Sequence, residues 1–178
     1  GRGGVVRGGG GGLTCLLLQV TTQRDGYGGC WVAALVNRPT MTGTGQLAKF
    51  EEDLFKTEVT DRELFRIPTA EVPLTNLHAG ETLPAEGLPL AYNAHTPCLP
   101  SEAGSYGRDT RGMIGLHPFS KVEIVRVVAP ARTAEKVGIM LDQAEACLEE
   151  LELAYRVVPH TPRDHSCYPP HHYNINQS

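Results

Sequence analysis

The apolar residues in the last third of the chain recur at the spacing of a helix. They fall three or four positions apart between Thr133 and Leu153, at Val137, Met140, Leu141, Ala144, Cys147, Leu148 and Leu151. This period places them on one face of an α-helix, for which Thr133 is a suitable N-cap. A similar pattern from residue 13 onward predicts another helix that ends before Gly26.

The middle of the chain has the pattern of strands. Residues 88–96 predict an extended segment, and residues 155–158 predict a short buried strand. Residues 96–128 predict one strand, a long polar loop and a second strand with β-branched residues on both faces. Between these regions, residues 64–77 predict an extended entry followed by a short helix, in whose first turn Pro73 is tolerated.

Both ends of the chain lack any apolar period. Residues 1–12 are a glycine-rich string that predicts a flexible tail, and residues 159–178 are rich in proline, histidine and polar residues, which predicts a disordered tail. The second segment contains the possible zinc ligands His160, His165, Cys167, His171 and His172. Their spacing matches no standard zinc pattern, so we predict no metal site there.

Composition limits the possible classes of protein. The chain has 178 residues, 40% of them hydrophobic and 20% charged, and this balance is typical of an ordinary globular domain. A net charge of -4 predicts no general affinity for nucleic acid, so any RNA contact has to be local. Five scattered cysteines without a C-x-x-C pair favour a reducing, cytoplasmic location. No apolar run is long enough to span a membrane, so we expect no membrane partner.

The polar loop between the two strands carries the chemistry that is easiest to interpret. Arg108 and Arg111 have planar, permanently charged guanidinium groups suited to phosphate oxygens, and Phe119 offers a ring face to a base. These residues therefore indicate a nucleotide. The alternative is a surface hairpin whose charged residues are only solvated.

Four segments resemble one family of enzymes, and they do so in order along the chain. They are GTGQLAKFEEDLFKTE, RIPTAEVPLTNLHAGETLP, TPCLPSEAGSYGRDTRGMI and FSKVEIV. Together they resemble the bacterial-type seryl-tRNA synthetases, which are class II aminoacyl-tRNA synthetases, across residues 35–158. The resemblance implies an α+β fold, in which an antiparallel β-sheet is flanked by helices. It also implies that residues 13–158 are a partial, incomplete class II catalytic core.

The same resemblance implies a serine-tRNA ligase, an aminoacyl-tRNA synthetase that activates serine with ATP to seryl-adenylate and transfers it to the acceptor end of tRNA(Ser). ATP is then a substrate, accompanied by Mg²⁺. The positions that match the family's serine-binding residues are Thr69, Ala70, Glu71 and Glu123. Those that match its ATP-binding segment are Ser101, Glu102, Phe119, Arg108 and Arg111.

The chain departs from the family pattern at specific positions. Pro100 stands where the family has an arginine that bridges the substrate carboxylate and the α-phosphate, so no catalytic residue is assigned. Ala33 and Ala34 replace the proline positions of the first motif, which weakens the expected homodimer. No second ATP-binding segment or third motif is visible after residue 158, and we expect a fragment or diverged copy. Two alternatives stay open: a non-catalytic binding remnant, or a ligase that charges a carrier protein.

Overall fold

The computed structural model describes residues 11–44, 54–59, 62–98, 119–159 and 173–177. In chain order its helices and strands are α1 (Gly11–Arg24), β1 (Gly28–Gly29), β2 (Leu35–Asn37), α2 (Arg38–Gly43), β3 (Lys56–Val59), β4 (Arg62–Arg66), α3 (Glu71–Thr75), β5 (Leu90–Cys98), β6 (Phe119–Val127), α4 (Thr133–Glu150), β7 (Tyr155–Pro159) and β8 (Tyr173–Gln177). Short 3-10 turns lie at Ala85–Gly87 and Pro130–Arg132.

The strands pair in three groups. The central group has the order β1-β5-β6, the second has the order β2-β4-β3, and β7 pairs with β8. Among the described strand pairs only β1 with β5 is parallel, and the others are antiparallel. The predicted α+β class, with antiparallel strands flanked by helices, is confirmed.

Helices α1 and α4 cover one face of the long β5-β6 pair. Val122 of β6 packs with Leu18 of α1 and Cys147 of α4 in a buried cluster. Two residues further along the strand, Ile124 packs with Tyr27 and Met140. The apolar period that predicts α4 is therefore the face of that helix that contacts the sheet.

The opposite face of the β5-β6 pair is also buried. Here Val125 of β6 packs with Ala94 of β5 and with Ala70 and Leu74 from the region of α3. Burial on both faces explains why β6 has β-branched residues on both of them, with Val122 and Ile124 on one face and Val125 on the other. The strand is thus held between two layers, which fixes the direction of each of its side chains.

A second core lies beneath the β2-β4-β3 sheet. Its buried residues are Val36, Met41, Phe65, Ile67 and Val72, and Leu54 packs against them. The neighbouring apolar residue Phe55 does not belong to this core, because its side chain is 54% exposed. Phe55 lies outside any strand, directly before the first residue of β3.

Both predicted tails overlap with described structure. Helix α1 begins at Gly11, and β8 forms over Tyr173–Gln177 with Ile175 opposite Val157 of β7. The prediction for residues 159–178 did not include this strand. The acidic cluster at residues 51–53 and the histidines of the C-terminal segment lie outside the described residues. Within the described part, no helix combines the length and apolar content that a membrane crossing needs.

Candidate functional site

One face of β6 carries two charged side chains beside the apolar cluster of Val125. Lys121 and Glu123 are two residues apart, so strand alternation places both on the face opposite α1 and α4. The register with β5 sets Thr96 opposite Lys121 and Ala94 opposite Glu123. Both charged side chains are buried, Glu123 at 1% exposure and Lys121 at 8%.

The third member of this site comes from the turn that leads into α3. The hydroxyl of Thr69 donates a hydrogen bond to Oε2 of Glu123 at 2.7 Å. The same Oγ1 accepts one from Nζ of Lys121 at 2.7 Å, and Lys121 also forms an ion pair with Oε2 of Glu123. We call Thr69, Lys121 and Glu123 the buried triad. Its two charged members pair with each other and with the threonine hydroxyl, as buried charges require.

The environment of Glu123 acts on its ionisation in two directions. Burial raises the pKa of the Glu123 carboxyl above its ordinary value, because desolvation disfavours the charged form. The Lys121 ammonium opposes this rise in pKa, both through its charge and through hydrogen bonding, and so does the hydrogen bond from Thr69. The negative charge of Glu71 adds to the rise. Glu123 is therefore a carboxylate whose charge depends on its partners.

Glu71 and Ala70 contribute to this region in different ways. Glu71 is the first residue of α3, and its side chain is half-buried. Its backbone N–H donates to the hydroxyl oxygen of Thr69 at 3.3 Å, which ties the start of the helix to the buried triad. The Ala70 side chain is fully buried among Leu74, Ala94 and Val125, so its methyl group belongs to the core.

Two small polar residues of β5 lie on the same face of the sheet. Thr96 and Cys98 are both buried, and their side chains are in contact, with Oγ1 and Sγ 3.6 Å apart. Burial raises the pKa of the Cys98 thiol, while the hydrogen bond from Thr96 and the charge of Lys121 oppose that rise. This thiol is thus a neutral neighbour of the buried triad at ordinary pH.

The structure brings together Thr69, Glu71 and Glu123, three of the four predicted serine-site positions, and places Ala70 beneath them. The predicted ATP-binding residues Ser101, Glu102, Arg108 and Arg111, together with Pro100, lie outside the described residues. Phe119 is described by its backbone alone. It is the first residue of β6 and pairs with Cys98.

Lys121 is the residue of this site that the sequence reasoning did not select. It lies in the FSKVEIV segment, between the predicted site residues Phe119 and Glu123. The available signal was the period of two, because a lysine two residues before a buried strand glutamate must share its face. A lysine and a glutamate on one face of a buried strand are natural ion-pair partners.

Metal binding by the protein itself has no support from the described residues. No group of three or more histidine, cysteine, aspartate or glutamate side chains lies close enough together there to hold an ion. In this site, the Glu123 carboxylate is already paired with the Lys121 ammonium.

Comparison with known proteins identifies the class to which this fold and site belong. Residues 54–173 match the family described as the tRNA synthetase class II core domain (G, H, P, S and T). The chain therefore belongs to the class II tRNA synthetase core-domain family. The match includes the turn before α3, both long strands and α4, so it contains the whole buried triad.

Within this class, relatives of high identity carry the name serine-tRNA ligase. The chain is 58% identical over 146 residues to serine-tRNA ligase 2 of Streptomyces avermitilis. The aligned residues cover 82% of this chain and 34% of the relative. The chain is 55% identical, with the same coverage, to the serine-tRNA ligase of Oleidesulfovibrio alaskensis. The resemblance to seryl-tRNA synthetases is thereby confirmed. The chain spans about a third of the length of these relatives.

Solved structures give the same result for the fold. A seryl-tRNA synthetase from Pyrococcus horikoshii, solved in complex with ATP, has a TM-score of 0.72 and 34% identity, covering 82% of this chain and 32% of that one. A cytoplasmic serine-tRNA ligase from Naegleria fowleri, solved with AMP, has a TM-score of 0.82. Its identity is 24%, with coverage of 92% of this chain and 39% of that one, so it supports the fold alone.

Proposed function

We propose that this chain carries the amino-acid pocket of a serine-tRNA ligase, which activates serine with ATP to seryl-adenylate and transfers it to tRNA(Ser). The observation that carries the proposal is the buried triad. It joins the T-A-E segment before α3 to the K-V-E segment of β6, two segments that lie 54 positions apart in sequence. Both segments belong to the region similar to serine-tRNA ligases.

The charges of the site suit the two donor groups of serine. Glu71 is half-buried and has no cationic partner among the described residues, which favours it as the carboxylate for the serine ammonium. Glu123 is already balanced by Lys121, which favours it as an acceptor for the neutral serine hydroxyl. A buried acceptor that an alanine side chain leaves unpaired disfavours alanine, and selectivity follows.

ATP, with Mg²⁺ on its phosphates, completes the proposed reaction. The proposed ATP contacts are Ser101, Glu102, Phe119, Arg108 and Arg111, by their match to the family's motif. Mg²⁺ usually binds through substrate phosphates and one or two carboxylates, and it retains several waters. When bound, the ion would neutralise charge on the phosphates.

The partners and location form part of the same proposal. The acceptor end of tRNA(Ser) is the proposed second substrate, and a cytoplasmic location is supported by the free thiols of Cys30, Cys98 and Cys147. A homodimer through the segment of β1 and β2 is supported by Trp31, whose side chain is fully exposed, and by Leu35, which is 43% exposed. Large apolar side chains at a surface are typical of an interface. Sedimentation of a Trp31→Asp variant tests it, with loss of dimer as the expected result.

Amino-acid binding by the purified chain is the primary test of the function. Isothermal titration calorimetry should detect serine and give a much weaker signal for alanine. Glu123→Gln should weaken serine binding by about tenfold to a hundredfold, as expected for a hydrogen bond to a charged group. The matched control is Glu135→Gln, which changes an exposed glutamate on α4 that pairs with Arg132. Equal binding of serine and alanine by the unmodified chain would contradict the proposal.

A second candidate function is a non-catalytic serine-binding protein, and Pro100 favours it. Proline cannot supply the charge that the family's arginine gives to the substrate carboxylate and α-phosphate, and such a loss lowers rates by about a hundredfold to a thousandfold. Serine-dependent exchange of pyrophosphate into ATP separates the two candidates. A ligase exchanges in its unmodified form, whereas a binding protein retains serine affinity without exchange. Gain of exchange in a Pro100→Arg variant would attribute the loss to this residue.

A further inference from the structure

Lys121 is a charged side chain of the site that has no role in the proposed reaction. Its side chain is 8% exposed, and burying an ammonium is costly unless it is paired and hydrogen-bonded. Both of its described contacts go to the site, one to Oγ1 of Thr69 and one to Oε2 of Glu123. Among the described residues, the hydrogen bond and the ion pair of this lysine thus both go to the proposed amino-acid pocket.

The contacts of Glu123 are distributed unequally between its two oxygens. The ion pair with Lys121 and the hydrogen bond from Thr69 both use Oε2. Within the described part of the chain, Oε1 makes no hydrogen bond. Because Oε2 is held by two contacts, the carboxylate has one orientation. In this orientation Oε1 is available to accept a hydrogen bond from a ligand.

The remaining ionisable groups around Glu123 do not replace the lysine. Glu71, on α3, is negative and favours the protonated form of Glu123. Cys98, on β5, is buried and neutral at ordinary pH, because burial raises its pKa. Thr69 supplies a hydrogen bond but no charge. Lys121 is thus the one positive charge acting on this carboxylate among the described residues.

We propose that Lys121 is a positioning and specificity residue: it keeps Glu123 ionised and fixes its Oε2, so that Oε1 is presented to the hydroxyl of the amino acid. This inference rests on the proposed serine site. It assigns selectivity for a hydroxyl-bearing amino acid to the pair formed by Lys121 and Glu123, not to the glutamate alone. Without the lysine, the glutamate retains only the hydrogen bond from Thr69, so it is held less firmly and is more easily protonated.

The first test measures the carboxylate directly. Titration of the Glu123 side-chain carbon by NMR should show its midpoint at higher pH in a Lys121→Met variant than in the unmodified chain. Lys136→Met is the matched control, because Lys136 pairs with Glu135 on α4, away from the site. Lys121→Arg, which restores the positive charge, should return the midpoint toward the original value. An unchanged midpoint in Lys121→Met would overturn the proposal.

The second test measures selectivity on the same proteins. The ratio of serine to alanine affinity should fall by about tenfold to a hundredfold in Lys121→Met, as for loss of a hydrogen bond to a charged group. In a Glu123→Gln background the same lysine substitution should change the ratio much less, because the lysine acts through the carboxylate. Selectivity that persists in Lys121→Met would overturn the proposal. Failure of the unmodified chain to prefer serine would instead overturn the proposed function itself.

Discussion

Replacement of Thr69 by valine tests whether the buried triad is held together by the threonine hydroxyl. Valine has nearly the same shape as threonine, so the change removes the hydroxyl without opening a cavity. That hydroxyl donates to Oε2 of Glu123 at 2.7 Å and accepts from Nζ of Lys121 at 2.7 Å. Both partners are charged and buried, so water does not replace the lost hydrogen bonds.

The magnitude follows from the partners. A hydrogen bond to a charged group contributes about 1.5–3 kcal/mol, and the two bonds of Thr69 serve one ion pair, so their losses do not add fully. We expect Thr69→Val to lower the free energy of unfolding by about 3 kcal/mol. Thr69→Ser is the matched control. It keeps the hydroxyl and loses one methyl group, which costs about 1 kcal/mol.

Urea denaturation followed by far-UV circular dichroism measures this difference. Trp31 is the one tryptophan of the sequence, and its side chain is fully exposed, so its fluorescence is a poor probe of the core. The free energy of unfolding should fall with urea concentration at the same slope in both variants. Equal slopes mean that a difference in midpoint is a difference in stability. If Thr69→Val is no less stable than Thr69→Ser, the hydroxyl does not stabilise the triad, and the reasoning is refuted.

Three further predictions concern the core, an exposed ion pair and a buried thiol. Phe65→Ala should lower the free energy of unfolding in urea by about 3–5 kcal/mol, because Phe65 is fully buried. Arg38 and Lys56 lower the pKa of Glu63 to about 2, so the stability that this carboxylate contributes is present above pH 4.5 and is lost as pH falls toward 2. Acid unfolding of Glu63→Gln, followed by circular dichroism, should therefore depend less on pH across that range. Burial raises the pKa of Cys147 to about 11, so iodoacetamide at pH 8 should label this thiol in urea but not in the folded chain, as read by peptide mass spectrometry.

The sequence predicted the long elements well because each has a period of its own. The apolar face of α4 recurs over five turns, and the structure has that helix from Thr133 to Glu150. Strand β6 likewise has a local pattern, because polar and β-branched residues alternate from Lys121 to Ile124. Such local patterns persist whatever the rest of the chain does, so they can be interpreted without knowledge of the fold.

The short strands could not be predicted in the same way. Strand β1 consists of Gly28 and Gly29, which have no side chains to form a pattern, and it exists because these residues pair with Tyr92 and Asn93 of β5. Strand β8 similarly depends on β7, across a segment rich in proline and histidine. When a strand is defined by a distant partner, its own residues carry little information about it.

The site combines both situations. The resemblance to a family selected Thr69 and Glu123 together, although no local pattern connects two residues 54 positions apart. Alternation along β6 would have added Lys121, because that relationship is local. Neither source indicated that Ala70 contributes its methyl group to the core, because this depends on how the turn before α3 packs on Ala94 and Val125.

A strand that is packed on both faces, such as β6, holds the two charged side chains of the buried triad in fixed directions. Val122 and Ile124 are held on one face of β6 by the helices, so the alternate residues Lys121 and Glu123 have fixed directions on the other face. Thr69 approaches from a different segment, so the triad forms only when that segment is packed on the sheet. The polar site thus depends on the apolar contacts around it. These contacts hold Lys121 and Glu123 side by side, so the two charges are paired when they are buried.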